Sequence, residues 1–230
     1  MADIEELKRR LVKASRVLEN EGLVDHFGHA SVRIPGKDAF LIKAGWISNA
    51  TLKEEDILVV DFMGKKLEGQ KNAPKESVMH GIIYRERADV NGVVHSHPPM
   101  AVALAAIGEE GLPLYNQTAV FYDKVPIFQT PDLIGTEELA LALAKKLDQR
   151  VAVMIWGHGA TTVGSSVEDA TVNSIYLERN SQMQLMAHAA GKPKPLGREY
   201  AKGYVDNVHG PLFKYIWDYY EERLERGRRA

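Results

Sequence analysis

Gly92-Val93-Val94-His95-Ser96-His97-Pro98-Pro99 is the stretch that decides the fold. It is a short apolar strand that ends in two imidazoles and is then forced to turn by two prolines. Side chains two residues apart on a strand share a face, so the two rings emerge together. A second stretch of the same kind, Val151-Ala152-Val153-Met154-Ile155-Trp156, runs into Gly157-His158-Gly159. Its six apolar residues suit a buried central strand. The glycines around His158 let backbone approach a bound group closely. Histidines at the ends of sheet strands lie where α/β sheets place their sites. His95, His97 and His158 can occupy three corners of a metal site and leave the rest open, which distinguishes a catalytic metal from a structural one. His95-x-His97 alone is weak: chance supplies roughly 0.3 such pairs in a chain of this length with eight histidines. By itself it equally fits a hydrogen-bonded pair at a strand end.

Outward from these strands, the periodicities give an α/β chain. Ile4, Leu7, Leu11, Ala14 and Leu18 predict a first helix stopped by Gly22. Ser31 to Ile34, Phe40 to Lys43 and Ile57 to Phe62 predict short strands, with Met63-Gly64 turning a hairpin into Lys65-Lys66-Leu67. Pro74 is expected to open a helix running to Arg87. Pro99 to Ile107 and Thr136 to Leu147 read as further helices, and Val125 to Phe128 as a strand. Ser165-x-x-Glu168 resembles a capping box for a long helix to Ala190. Lys192 to Gly203, with two prolines and two glycines, reads as loop before a helix over Pro211 to Arg226. The expectation is one domain over 1–230, with a core at 4–190 and a C-terminal loop and helix at 191–230, and helices on both faces of a sheet.

Composition narrows the function classes. The chain has 230 residues, a net charge of -2 and no cysteine. It offers no basic field for nucleic acid and no polybasic anchor for a membrane. No apolar run is long enough to span a bilayer, and Met1 to Arg10 lacks the apolar segment of a secretory signal. A cytoplasmic protein with a small-molecule substrate is the expectation. Without thiolates, a metal must be held by histidine and carboxylate. All-imidazole ligation suits zinc, manganese, iron or cobalt. Glu76, placed in the first turn of its predicted helix, reads either as a helix-start carboxylate favoured by the dipole or as part of the site. His80, at i+4 on the same face, could ligate a metal together with Glu76, but with three ligands available elsewhere it reads as a packed, hydrogen-bonded residue. His26 and His29 lie in a loop entering the first strand and can meet a substrate anion or cap backbone, with His29 favoured for substrate. His188 and His209 read as structural or exposed.

Four blocks together carry a resemblance. Asp25-His26-Phe27-Gly28-His29-Ala30-Ser31-Val32-Arg33, then Glu76 with His80, then Asp89 to His97, then Gly157-His158-Gly159 are similar in order and spacing to the class II aldolase/adducin superfamily. The resemblance covers Ile4 to Ala190. It implies a three-layer α/β/α domain with a central, mainly antiparallel sheet, and a homotetramer with sites at subunit interfaces. It implies one divalent metal per subunit, zinc first, on His95, His97 and His158. It implies that Glu76 is the acid/base, and that Tyr115 matches a tyrosine that acts as acid in the active site of the neighbouring subunit. Sugar-phosphate aldolases of the superfamily hold phosphate with an Asn at the place of His29, a Ser-Gly pair and a Ser-Ser pair. This chain has His29, Ala44-Gly45 and Pro74-Lys75 instead, with Lys75 able to pair with an anion as a point charge. The Phe-Gly-His loop is more similar to the branch of hydroxy-aromatic and pyridine dicarboxylate decarboxylases. The expected activity is metal-dependent carbon–carbon cleavage, leaning to decarboxylation. An aldolase or epimerase acting on a sugar phosphate or hydroxy-ketone is the alternative. An adducin-like interaction module lacks the metal histidines that this chain has.

Overall fold

The computed structural model describes residues 3–227. Helix α1 (Ile4–Asn20) starts where the Asp3 carboxylate accepts the Glu5 N–H, and ends where Leu23 N–H reaches back to Leu18 O and Gly22 takes φ +72°. Three antiparallel strands follow, β1 (His29–Arg33), β2 (Ala39–Lys43) and β3 (Ile57–Asp61), and a hairpin leads to β4 (Lys66–Glu68). The Asp61 carboxylate accepts from Met63 N–H and Lys65 N–H, and Gly64 takes φ +82°, so the expected Met63-Gly64 turn is the one observed. Helix α2 (Ser77–Glu86) leads to β5 (Gly92–Ser96), and α3 (Pro99–Ala106) follows at once. Strand β6 (Ile127–Phe128), helix α4 (Glu137–Leu147), and strands β7 (Ala152–Ile155) and β8 (Gly159–Gly164) complete the sheet. Helices α5 (Val167–Ala190), α6 (Arg198–Tyr204) and α7 (Gly210–Gly227) end the described chain.

One eight-stranded sheet has the order β4-β3-β2-β1-β5-β8-β7-β6. Every pairing is antiparallel except β6 with β7. Its two faces bury two apolar cores. One holds Leu11, Leu18, Val94, Leu104, Leu177 and Trp217, from α1, α3, α5 and α7. The other holds Phe40, Met79, Ile83, Val93, Leu143 and Val153, under α2 and α4. The fold is therefore the α/β/α sandwich with a mainly antiparallel sheet that the resemblance implied. Alternation sorts side chains between the cores. In β5, Val93 faces α2 and Val94 faces the other layer, so His95 emerges on the α2 side.

Three local expectations need correction. Helix α2 begins at Ser77 rather than at Pro74. Both Ser77 N–H and Ser77 Oγ donate to Pro74 O and close a turn there, which leaves Glu76 as the last residue before the helix. The cap of α5 sits one residue later than the Ser165 motif suggests: Ser166 Oγ accepts from Asp169 N–H, while Asp169 reaches back to Ser165. The segment from Lys192 is not loop throughout. Arg198–Tyr204 is helical and continues through a π turn at Val205–His209 into α7.

Candidate metal centre

Three elements deliver the imidazoles to one point. His95 is the fourth residue of β5, His97 lies just beyond its end, and His158 sits in the tight turn between β7 and β8, where Gly157 takes φ +65°. Strands β5 and β8 are neighbours, so the turn carrying His158 is brought beside His95. One nitrogen from each ring lies within 4.8 Å of the others. His95 Nε2 and His97 Nε2 are 3.2 Å apart. Two nitrogens bound tetrahedrally to one zinc at the usual bond length would be about 3.4 Å apart. His158 Nδ1 lies 3.1 Å from Asp132 O, and because a carbonyl only accepts, Nδ1 is the donor of that bond and Nε2 is the nitrogen left for a ligand role. Burial lowers the pKa of His95 and His97, as do the neighbouring imidazoles, so both rings are neutral near pH 7, the state a ligand requires. His95 Nδ1 is buried without a hydrogen-bond partner. The donor set fits a divalent ion.

Glu76 faces these rings. Its Oε2 lies 3.5 Å from His95 Nε2 and 3.7 Å from His29 Nε2, and its Oε1 lies 3.8 Å from His158 Nε2. Oε1 also accepts the Ile134 N–H at 2.9 Å. Burial alone would push this carboxyl up, but His29, His95 and the Ile134 amide outweigh it and hold the group well below the usual carboxylate range. Glu76 is therefore an anion at neutral pH.

Behind Glu76 runs a buried polar chain. His29 Nδ1 is 2.8 Å from His80 Nε2, His80 Nδ1 is 2.7 Å from Ser31 Oγ, and Ser31 Oγ is 2.8 Å from Tyr84 Oη. His80 is completely buried, and burial holds its pKa well below the ordinary histidine value. It is the packed, bonded residue that the sequence suggested. His29 links this chain to Glu76.

The site opens into a cavity of about 340 Å³. Its walls include His29, exposed Lys75, Glu76, His97, His158 and the aromatic rings of Phe27 and Trp46. A larger groove of about 580 Å³, lined by α1 and α7, carries ion-paired arginines and glutamates and none of the eight histidines. Tyr115 is not brought to the histidines within one chain. It lines a different groove with Tyr176, Arg179 and Tyr219. Sequence reasoning did not single out Ser31 and Tyr84, nor the loop after β6, whose Asp132 carbonyl and Ile134 amide hold His158 and Glu76. Backbone groups leave no residue-type signal. Trp46 carried a signal, an aromatic residue directly after a strand-ending glycine, but its place at the cavity depends on the fold.

Comparison with known proteins gives the family and the fold. The family description "Class II Aldolase and Adducin N-terminal domain" matches residues 9–185. The chain belongs to this family. It is 31% identical over 198 residues to a 3,4-dihydroxyphthalate decarboxylase of Arthrobacter keyseri, covering 80% of this chain and 79% of that protein. It is 28% identical over 180 residues to an L-fuculose phosphate aldolase of Methanocaldococcus jannaschii, covering 78% of this chain and 96% of that one. Among solved structures, an L-fuculose 1-phosphate aldolase superposes with a TM-score of 0.81 at 27% identity, over 90% of this chain and 97% of that chain. The relatives of this class II aldolase family member thus include both decarboxylases and aldolases.

Proposed function

We propose that this protein is a divalent-metal-dependent carbon–carbon lyase that decarboxylates a non-phosphorylated, ortho-hydroxylated aromatic carboxylate. One observation carries the reading. His95, His97, His158 and an ionised Glu76 converge beside a cavity whose walls include Phe27, Trp46 and Lys75, and the segments at 44–45 and 74–75 have no hydroxyl side chain with which to cradle phosphate. His95, His97 and His158 would hold the ion, and Asp132 O fixes the ring of His158. When bound, a divalent ion supplies a Lewis acid that stabilises negative charge developing on a substrate oxygen, by several kcal/mol.

The chain's own groups account for the protons. Glu76, ionised and 3.7 Å from His29, takes the proton of the ortho hydroxyl as base. Glu76 returns that proton to the ring carbon that bears the carboxylate, so the ring becomes a ketone beside that carbon. The bond to the carboxylate then breaks, its electron pair flows back through the ring onto the former hydroxyl oxygen, and carbon dioxide leaves. His29, braced by His80, Ser31 and Tyr84, keeps the carboxylate aimed. Lys75 meets the anionic end of the substrate. In a homotetramer with sites at subunit interfaces, Tyr115 of a neighbouring subunit is a second proton donor.

The test is a metal-loaded screen of ortho-hydroxy aromatic acids beside sugar phosphates, with carbon dioxide and aldehyde both monitored. Carbon dioxide from the aromatic acids is expected. Aldehyde release from a sugar phosphate without carbon dioxide would move the protein to the aldolase reading, which the fuculose-phosphate aldolase relatives support. Glu76→Gln should keep the metal and lose at least about a hundredfold in kcat, the scale of a lost general acid–base. A variant with full turnover would remove Glu76 from the reaction.

A further inference from the structure

Trp46 is placed unlike any other aromatic residue among those described. Its φ is +64°, in the left-handed region, where a bulky side chain is a rare outlier. Its side chain is 77% exposed, the most of the large apolar residues. Neither feature helps the fold, since glycine would adopt this backbone freely and an exposed indole gains little from packing.

The backbone around Trp46 is nevertheless tied on every side. Gly45 N–H donates to Asn72 O at 2.9 Å. The buried Lys43 ammonium donates to Ile47 O at 2.6 Å. Asn49 Nδ2 donates to Asp25 O at 3.0 Å. Bonds to the chain before β1 and to the segment before α2 therefore hold the residues that flank Trp46, and the indole is presented on a fixed frame.

The frame presents it at the cavity. Trp46 lines the same cavity as Glu76, His97 and His158. Its ring meets Phe27 edge-on at 6.1 Å between centroids, and Phe27 lies 6.3 Å from His97. A row of rings thus leads from the cavity mouth to the three imidazoles. A planar ligand chelated there would have its ring within reach of that row, whereas a short aliphatic hydroxy acid would not.

We infer that Trp46, flanked by Phe27, is the surface on which the ring of the substrate packs, and that it sets the preference for aromatic over aliphatic hydroxy acids. The inference rests on the decarboxylase reading and assigns its specificity to one residue.

The experiment measures binding of 2-hydroxybenzoate and of glycolate to the metal-loaded protein by calorimetry, for the native chain, Trp46→Gly and Trp46→Phe. Thermal unfolding of each is recorded in parallel. Both acids offer a hydroxyl beside a carboxylate, and only one has a ring. Trp46→Gly should weaken 2-hydroxybenzoate about tenfold, the scale of one aromatic contact, and shift glycolate by less than about twofold. Trp46→Phe should recover most of the loss. The Tm of Trp46→Gly should equal or exceed the native value, because glycine relieves the left-handed backbone. Unchanged 2-hydroxybenzoate affinity in Trp46→Gly would overturn the inference and leave the decarboxylase reading standing. Equal weakening of both acids, or a clear fall in Tm, would make Trp46 a structural residue and also overturn it. Failure of the native protein to bind 2-hydroxybenzoate while binding glycolate would remove both.

Discussion

Ser31 is the smallest member of the buried polar chain and the one on which most depends. Its single hydroxyl bridges His80 Nδ1 and Tyr84 Oη, and all three residues are almost wholly buried. Removing it takes a partner from each of two buried polar atoms, which costs more than the loss of one hydrogen bond. Ser31→Ala should therefore lower stability by about 2 kcal/mol, against about 1 for Tyr84→Phe, in which Ser31 still bonds His80. Urea unfolding of the two variants checks the order, and equal losses would show that the bridge does not act as drawn. The candidacy of His95, His97 and His158 as ligands was legible at this scale because each stands at or just beyond the end of an apolar strand, which is a local signal. The pairing of His29 with His80 was not, since 51 residues separate them and only the packing of α2 over the sheet joins them.

Helix α2 also bears on the sheet at a single glycine. A Cβ on Gly81 would stand 2.1 Å from Phe62 O, so the helix lies directly on the backbone at the end of β3. Gly81→Ala should cost about 3 kcal/mol or more, because the clash is with backbone that cannot yield without moving Glu76 and His80. Chemical denaturation measures it, and a neutral variant would mean the helix can lift freely. At the other face, Ser166→Ala should cost about 1 kcal/mol by removing the N-cap of α5. Element types were readable where period and punctuation agreed, as in α1 and in the β3–β4 hairpin. Strand β8 was not recognised. Gly159-Ala160-Thr161-Thr162-Val163-Gly164 is buried on both sides, so it has no alternation to detect. Boundaries shifted where a side chain made an unexpected local bond, as Ser77 does at the start of α2.

Across the whole molecule, an ion binding only the folded chain should stabilise it. At free metal about a hundredfold above the dissociation constant, the gain is roughly 2.7 kcal/mol, or about 5–10 °C in Tm for a chain of this size. His158→Ala should lose most of that shift, and an equal shift would place the ion elsewhere. Acid stability is governed in part by the Arg10–Glu168 pair, which ties α1 to α5 with contacts of 2.6 and 2.7 Å. Burial pushes the Glu168 carboxyl up, and the bonds from Arg10 and the helix start more than offset it, so its pKa is lowered. A carboxylate lowered in the folded state contributes stability that is complete above its unfolded pKa of about 4.3 and is lost as pH falls through the folded value. Stability should thus decline below about pH 4.5, and Glu168→Gln should flatten that decline. Thermal unfolding between pH 3 and pH 7 tests the slope.

By itself the sequence determined the alternation of helix and strand, the ligand types available in a chain without cysteine, and the family, because periodicity and motif spacing are carried by near neighbours. The tertiary structure alone decided which histidine is braced and which converge, that a loop after β6 holds Glu76 and His158 by backbone groups, and that Trp46 stands at the cavity. Those relations join residues far apart in the chain. They arise only when β5 pairs with β8 and α2 closes over the sheet, since burial fixes strand pairing and helix placement by summed packing rather than by any one residue.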